Sequence, residues 1–174
     1  MNWKNVEIKA HCAALKPLEQ ILLAQGADYK GLDHQIDTYF QVPNGRLKLR
    51  EGTIECALIH YNRVNQVAAK RSEIHYYKPY LREQSTPLKR TLEAALGIKI
   101  VVDKQRHIFF IDNVKFHLDQ VQGLGTFVEV EAIDQEGTRT EEALQAQCLH
   151  YQNLLGIQPT DLIAYSYSDL LLQA

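Results

Sequence analysis

The chain has little of what would staple a fold, anchor it in a membrane or give it a field of one sign. Its 174 residues hold three cysteines, Cys12, Cys56 and Cys148, with no short spacing between any two. An odd, scattered set excludes a disulfide scaffold and a cysteine-rich metal site, and it fits a reducing compartment. Cys56 and Cys148 lie among apolar neighbours and read as ordinary buried thiols. No apolar run is long enough to span a bilayer. The opening Met-Asn-Trp-Lys-Asn-Val-Glu lacks the basic-then-apolar order of a leader. A cytoplasmic protein with no membrane partner is the expectation. Charge of one sign is missing too, since 19 Lys and Arg stand against 21 Asp and Glu. That balance argues against a nucleic-acid partner, and any anion site must come from local segregation of cations. No repeat, low-complexity tract or linker interrupts the chain, so residues 1–174 read as a single domain able to bury a sizeable core.

What is present is charge placed at strand period. In Gly125-Thr-Phe-Val-Glu-Val-Glu-Ala132, alternation puts Phe127, Glu129 and Glu131 on one face and Val128, Val130 and Ala132 on the other. The two carboxylates sit about 6.5–7 Å apart along the strand and repel unless a cation lies near them. Asn5-Val-Glu-Ile-Lys9 repeats the pattern in a first strand over residues 4–10. Other strands carry bases on one face: Arg46, Lys48 and Arg50 in one, Lys104 and Arg106 in another. Three cations in register form a stripe that a phosphate would neutralise, and arginine offers its oxygens a planar fork. A solvated edge would look the same for any one strand. Lys104 and Arg106 say more, because they share a face with Val102 and Ile108, and an unpaired buried cation is costly.

Between these segments the period predicts helices starting at Pro17, at Thr86-Pro87 and at Thr138, the last with Glu141 as a capping box. A short closing helix is expected within Ala164–Leu172. Strands are expected over 34–42, 46–50, 53–63 and 72–78, then within 98–111, over 114–121 and in the carboxylate segment. Pro43-Asn-Gly45 marks a turn and 64–71 a loop. With no βαβ rhythm, the strands read as an antiparallel meander. About eight strands in even number suggest closure, which removes exposed edges. If the charged faces all point inward, the interior holds Glu7, Lys9, Arg46, Lys48, Arg50, Arg63, Lys104, Arg106, Glu129 and Glu131. Such an interior needs water, an anionic ligand and a hard divalent cation such as Mg²⁺ or Mn²⁺.

Taken in order, Asn5-Val-Glu-Ile-Lys9, Asp37-Thr-Tyr-Phe40, Leu47-Lys-Leu-Arg50, Leu58-Ile-His-Tyr-Asn-Arg63, Lys104-Gln-Arg106, His117-Leu-Asp-Gln-Val-Gln-Gly-Leu-Gly125 and Phe127-Val-Glu-Val-Glu131 resemble the CYTH superfamily of triphosphate tunnel enzymes. The nearest branch is that of class IV adenylate cyclase-like and thiamine triphosphatase-like proteins. The resemblance spans nearly the whole chain. It implies an α+β fold, an eight-stranded antiparallel closed β-barrel with flanking helices, whose tunnel binds a triphosphate with Mg²⁺ or Mn²⁺. By the match, Glu7, Glu129 and Glu131 correspond to metal-facing carboxylates. Lys9, Lys48, Arg50, Arg63, Lys104 and Arg106 correspond to the phosphate cradle, with Arg46 one step outside it, and Asp119 to an acidic position that assists catalysis. The implied activity is metal-dependent hydrolysis of a nucleoside triphosphate, thiamine triphosphate or inorganic polyphosphate. Cyclisation of ATP to cyclic AMP and pyrophosphate, or binding without turnover, are the alternatives. A homodimer would cover the open ends of a small barrel. The family signature has glutamate where this chain has Asn5, which offers a neutral oxygen but no negative charge. His117 shares a face with Asp119 and suits either substrate contact or a structural hydrogen bond. Tyr165 and Tyr167 either close the tunnel mouth or pack the last helix.

Overall fold

Side-chain alternation decides the architecture, because nearly every strand has one hydrocarbon face and one charged face. The computed structural model describes residues 2–62, 70–79 and 82–174. Arg63 and residues 64–69 of the loop expected at 64–71 lie outside them, and residues 70–71 are strand. The elements in chain order are β1 (Asn2–His11), α1 (Leu15–Ala24), β2 (Asp28–Phe40), β3 (Arg46–Gly52), β4 (Cys56–Asn62), β5 (Lys70–Tyr77), α2 (Ser85–Leu96), β6 (Ile98–Ile111), β7 (Val114–Val121), β8 (Gly125–Asp134), α3 (Glu141–Leu154) and α4 (Tyr167–Gln173). No helix among the described residues is long and apolar enough to cross a membrane.

On the outer face of β1, β7 and β8, the residues Val6, Ile8, Phe116, Leu118, Val128 and Val130 pack beneath α1 and α3. Leu22 of α1, Leu144 and Cys148 of α3 complete that core, which makes Cys148 the buried thiol its surroundings suggested. Each fully buried leucine or phenylalanine there contributes about 1.5–3 kcal/mol. The opposite faces of the same strands carry Asn5, Glu7, Lys9, His117, Glu129 and Glu131, and these line an internal cavity. A second apolar cluster is built from Tyr39, Ile59, Val102, Val121, Phe127 and Tyr167, of which Tyr39, Ile59 and Tyr167 also line the cavity. Tyr167 brings α4 to it.

All strand pairings are antiparallel, in the neighbour order β1-β5-β4-β3-β2-β6-β7-β8, and β1 also lies against β8. Because β1 pairs with both β5 and β8, the ladders run round all eight strands. Closure requires tilt, register and pairing to agree around the whole circumference, and an even strand count alone does not supply that.

Other differences are local. β2 begins at Asp28, ahead of the expected residue 34, and stops at Phe40 before the Pro43-Asn-Gly45 turn. Gly45 adopts φ 66, and a Cβ there would stand 2.7 Å from the Tyr61 carbonyl oxygen, so that turn requires glycine. The strand expected from residue 53 begins only at Cys56. The N-cap of α3 is Thr140, whose hydroxyl accepts from the Ala143 amide, not Thr138. Thr138 instead donates its backbone N–H to Asp134.

Candidate functional site

The charged faces enclose a cavity of about 280 Å³. One wall is built on β2, β3 and β6, where Asp37 lies opposite Arg50 in register. The Arg50 fork donates to both Asp37 oxygens, Nε to Oδ1 at 2.8 Å and Nη2 to Oδ2 at 3.0 Å. Lys48 reaches Oδ2 at 2.9 Å and Lys104 at 2.7 Å. Asp37 is 1% exposed, so one buried carboxylate holds three cations. Burial alone would raise its pKa, but Arg50, Lys104 and Lys48 hold it well below the usual carboxylate range. Burial pushes Lys104 down to about 7, with Arg50, Arg106 and Lys48 adding repulsion against the pull of Asp37.

The opposite wall is built on β1, β7 and β8. Glu129 accepts from Lys9 at 2.9 Å, Arg106 at 2.9 Å and His117 Nδ1 at 3.0 Å. Lys9, Arg106 and the His117 N–H keep it ionised against burial, well below its ordinary value. Burial, then Arg106 and Lys115, push His117 down to about 4. A neutral imidazole donating from Nδ1 leaves Nε2 as the acceptor nitrogen, and that atom is buried without a partner. Asp119 takes the Arg106 fork at 2.7 and 2.5 Å and accepts the Tyr167 hydroxyl at 2.7 Å. Lys9 sits 3.6 Å from the centre of the Tyr167 ring, a cation–π contact.

Toward the end away from Tyr167, Glu7 faces Glu131 directly across the β1–β8 ladder. Asn5 donates its side-chain N–H to Glu131, and its Oδ1 is buried without a partner. Lys115 projects from β7 to Glu55, which also accepts from Arg50 at 2.8 Å.

The structure therefore brings Glu7, Lys9, Lys48, Arg50, Lys104, Arg106, Glu129 and Glu131 to one cavity, with Asp119 buried behind Arg106. Arg46 stands apart: it pairs with Asp169 of α4 at 2.8 Å and lines a separate, smaller pocket with Lys99. Arg63 is outside the described residues. Sequence reasoning gave no role to Asp37, Glu55 or Lys115. Asp37 could have been found from its place opposite the cationic strand, and Lys115 from its shared parity with His117 and Asp119. Glu55 was hidden inside a segment read as continuous strand. Tyr167 is buried and lines the cavity, whereas Tyr165 is exposed.

Among the described residues, no three His, Cys, Asp or Glu side chains are grouped so as to hold a metal ion by themselves. The oxygen donors that do come together are Glu7 and Glu131, with the orphaned Asn5 Oδ1 beside them. That set fits Mg²⁺ or Mn²⁺, which take oxygen ligands and commonly use one or two carboxylates plus substrate phosphates instead of an all-protein cage.

The sequence profile of the CYTH domain matches residues 4–167. No curated protein matches the chain. Among solved structures, the PH1012 protein from Pyrococcus horikoshii superposes with a TM-score of 0.79 at 21% identity, covering 95% of this chain and 98% of that one. A candidate adenylate cyclase from Vibrio parahaemolyticus gives 0.74 at 16% identity, with 97% of both chains covered. HpAC1 from Hippeastrum, a candidate adenylyl cyclase with a dominant triphosphatase activity, gives 0.61 at 13% identity, covering 98% of this chain and 94% of that one. At such identities the likeness establishes a shared fold, and the profile establishes more: the chain belongs to the CYTH family.

Proposed function

We propose that the protein is a divalent-metal-dependent phosphohydrolase that takes an organic or inorganic triphosphate into this cavity. The observation that carries the reading is the convergence of Lys9, Lys48, Arg50, Lys104 and Arg106, from three different strands, on one enclosed space. Cations brought together from so many strands against their own repulsion suit a polyanion.

The charge balance explains why a metal belongs in the reading. With Lys115, six described cations line the cavity against five carboxylates, Glu7, Asp37, Glu55, Glu129 and Glu131. A nearly neutral cavity cannot by itself compensate a triphosphate carrying about four negative charges, since buried charge must be paired. Glu7 and Glu131 are the pair that would hold Mg²⁺ or Mn²⁺, with Glu129 next to them on β8. The bound ion would polarise a phosphoryl oxygen and neutralise developing charge. Arg50, Lys48 and Lys104 hold and orient the phosphate chain. Arg106 and Lys9, aligned by Glu129, stabilise charge on the reacting phosphoryl group. Asp119 acts one layer back, fixing Arg106, and Tyr167 on the cavity wall holds Lys9 against its ring.

Product analysis tests the reading. Incubation with ATP, thiamine triphosphate or inorganic tripolyphosphate, each with Mg²⁺ or Mn²⁺, is expected to release orthophosphate with the matching diphosphate. Cyclic AMP with pyrophosphate would replace hydrolysis by cyclisation. Tight binding with no product would make the protein a triphosphate carrier.

A further inference from the structure

That reading counts Glu55 in the charge balance but gives it no role of its own. It lies in the short turn between β3 and β4, and its backbone is held with unusual care. Asp33, fully buried, accepts from the Thr53 hydroxyl at 2.9 Å and from the amides of Ile54 and Glu55 at 2.7 and 3.0 Å. The Gly52 amide donates to the Glu55 carbonyl at 2.8 Å. A Cβ on Gly52 would stand 2.5 Å from that carbonyl oxygen and 2.7 Å from Asp33, so the close approach depends on glycine.

The turn aims the Glu55 carboxylate over the cavity. It meets Arg50 at 2.8 Å and Gln35 at 3.1 Å on its own side, and Lys115 on the facing strand β7. Burial would raise its pKa, but Lys115, Arg50 and His117 keep it well below the ordinary carboxylate value, so the charge is fixed. Toward the opposite end the cavity is lined by Tyr61 and Tyr167, with Phe127 packed against Tyr167. A phosphate chain running from that aromatic end along Lys104 and Arg50 therefore meets a fixed carboxylate beyond them.

Resting on the reading of the cavity as a triphosphate site, we propose that Glu55 is a specificity-determining residue that limits the length of the phosphate chain to three. The two cations that meet it, Arg50 and Lys115, are already partly neutralised by Glu55. A fourth phosphate finds there a like charge held in place by four hydrogen bonds of the turn and strand, and specificity arises from that repulsion. A neutral organic group at the same point is not repelled.

The test is calorimetric binding of inorganic tripolyphosphate and inorganic tetrapolyphosphate to the whole protein with Mg²⁺. The wild-type protein is expected to favour tripolyphosphate by at least about tenfold, and Glu55→Gln, which keeps the shape and removes the charge, to narrow that preference by about tenfold. Thr53→Ala keeps the charge but loosens the turn, and is expected to narrow the preference by a smaller factor. It also keeps the proposal testable if Glu55→Gln folds poorly. A wild-type protein with equal affinity for both chains, or a preference unchanged in both variants, overturns the role of Glu55 while leaving the triphosphate site standing. A wild-type protein that binds neither chain overturns the triphosphate reading itself, and the proposal with it.

Discussion

The two walls of the cavity solve the same electrostatic problem in opposite ways. On β2, β3 and β6, a single carboxylate, Asp37, serves three cations, so that wall carries surplus positive charge. On β1, β7 and β8, Glu129 and Asp119 share Arg106, Lys9 serves Glu129 alone, and Glu7 and Glu131 add two further carboxylates. That wall carries surplus negative charge. A uniformly basic lumen would bind any polyanion. A lumen with segregated walls asks for a ligand that presents phosphate to one side and a cation to the other, which is what a metal-bound triphosphate does.

The largest effect is expected from breaking the basic wall at its centre. Asp37→Asn leaves Arg50, Lys48 and Lys104 without their common counter-charge in a buried site. Uncompensated burial of that kind typically costs about 3–5 kcal/mol, or a fall of roughly 6–20 °C in melting temperature for a chain of this size. Inorganic tripolyphosphate should restore more of the lost stability than it adds to the wild-type protein, because it supplies the missing anion. Thermal unfolding with and without tripolyphosphate checks both halves. A variant as stable as the wild type would mean that Asp37 does not hold this wall together.

The next effect comes from the other wall. Glu129→Gln keeps the shape but removes the charge that orients Lys9 and Arg106. Turnover is expected to fall about 100-fold, the scale seen when one electrostatic contributor is lost. Affinity for tripolyphosphate should fall far less, since Arg50, Lys48 and Lys104 are untouched. Parallel kcat and calorimetric measurements separate the walls; equal losses in both would mean that they do not divide the labour.

How much of this was legible beforehand follows from what alternation can and cannot encode. Parity alone puts Glu7, Lys9, Lys48, Arg50, Lys104, Arg106, Glu129 and Glu131 on inward faces, and the structure places all of them on the cavity. The outer hydrocarbon faces of β1, β7 and β8 were equally plain. Partners across strands were not, because which cation meets Asp37 depends on register, and register is set by turns far from it in sequence. Glu55 was lost because Thr53-Ile-Glu-Cys56 fits a strand by composition, while Asp33, twenty residues upstream, turns it by accepting its amides. Arg46 shares parity with Lys48 and Arg50, yet α4 takes it away through Asp169.

A smaller effect tests Lys104, the cation whose proton is most easily lost. Its folded pKa, about 7, lies below the unfolded value, so between about 7 and 10.5 the unfolded chain binds more protons. In that window Lys104 makes stability rise with pH. A bound phosphate pulls in the other direction by favouring the ammonium form. Binding of tripolyphosphate near pH 8 is therefore expected to take up a proton, up to one per site, and affinity to weaken as pH rises from 7 toward 9, by less than about tenfold per unit. Calorimetry in buffers of different ionisation enthalpy reads the uptake directly. Lys104→Gln should abolish it, and uptake persisting in that variant would assign the proton to another group.

The smallest effect is expected from Arg46, which lies on the cationic strand but not in the cavity. Its guanidinium pairs with Asp169, each partner a little under one-fifth exposed, and such a pair contributes on the order of 0.2–1 kcal/mol. The Asp169 carboxylate also accepts from the Ser166 amide at 3.1 Å, so the pair ties β3 to the start of the helix that carries Tyr167. Arg46→Ala is expected to lower the melting temperature by a few degrees at most. It should also leave the affinity for tripolyphosphate within about twofold, where Arg50→Ala, which removes a cation of the cradle, should cost at least tenfold. The contrast between the two arginines, four residues apart on one strand face, measures where the basic wall ends. Equal losses of affinity would extend that wall to Arg46, and would require α4 to release it when the phosphate chain is bound.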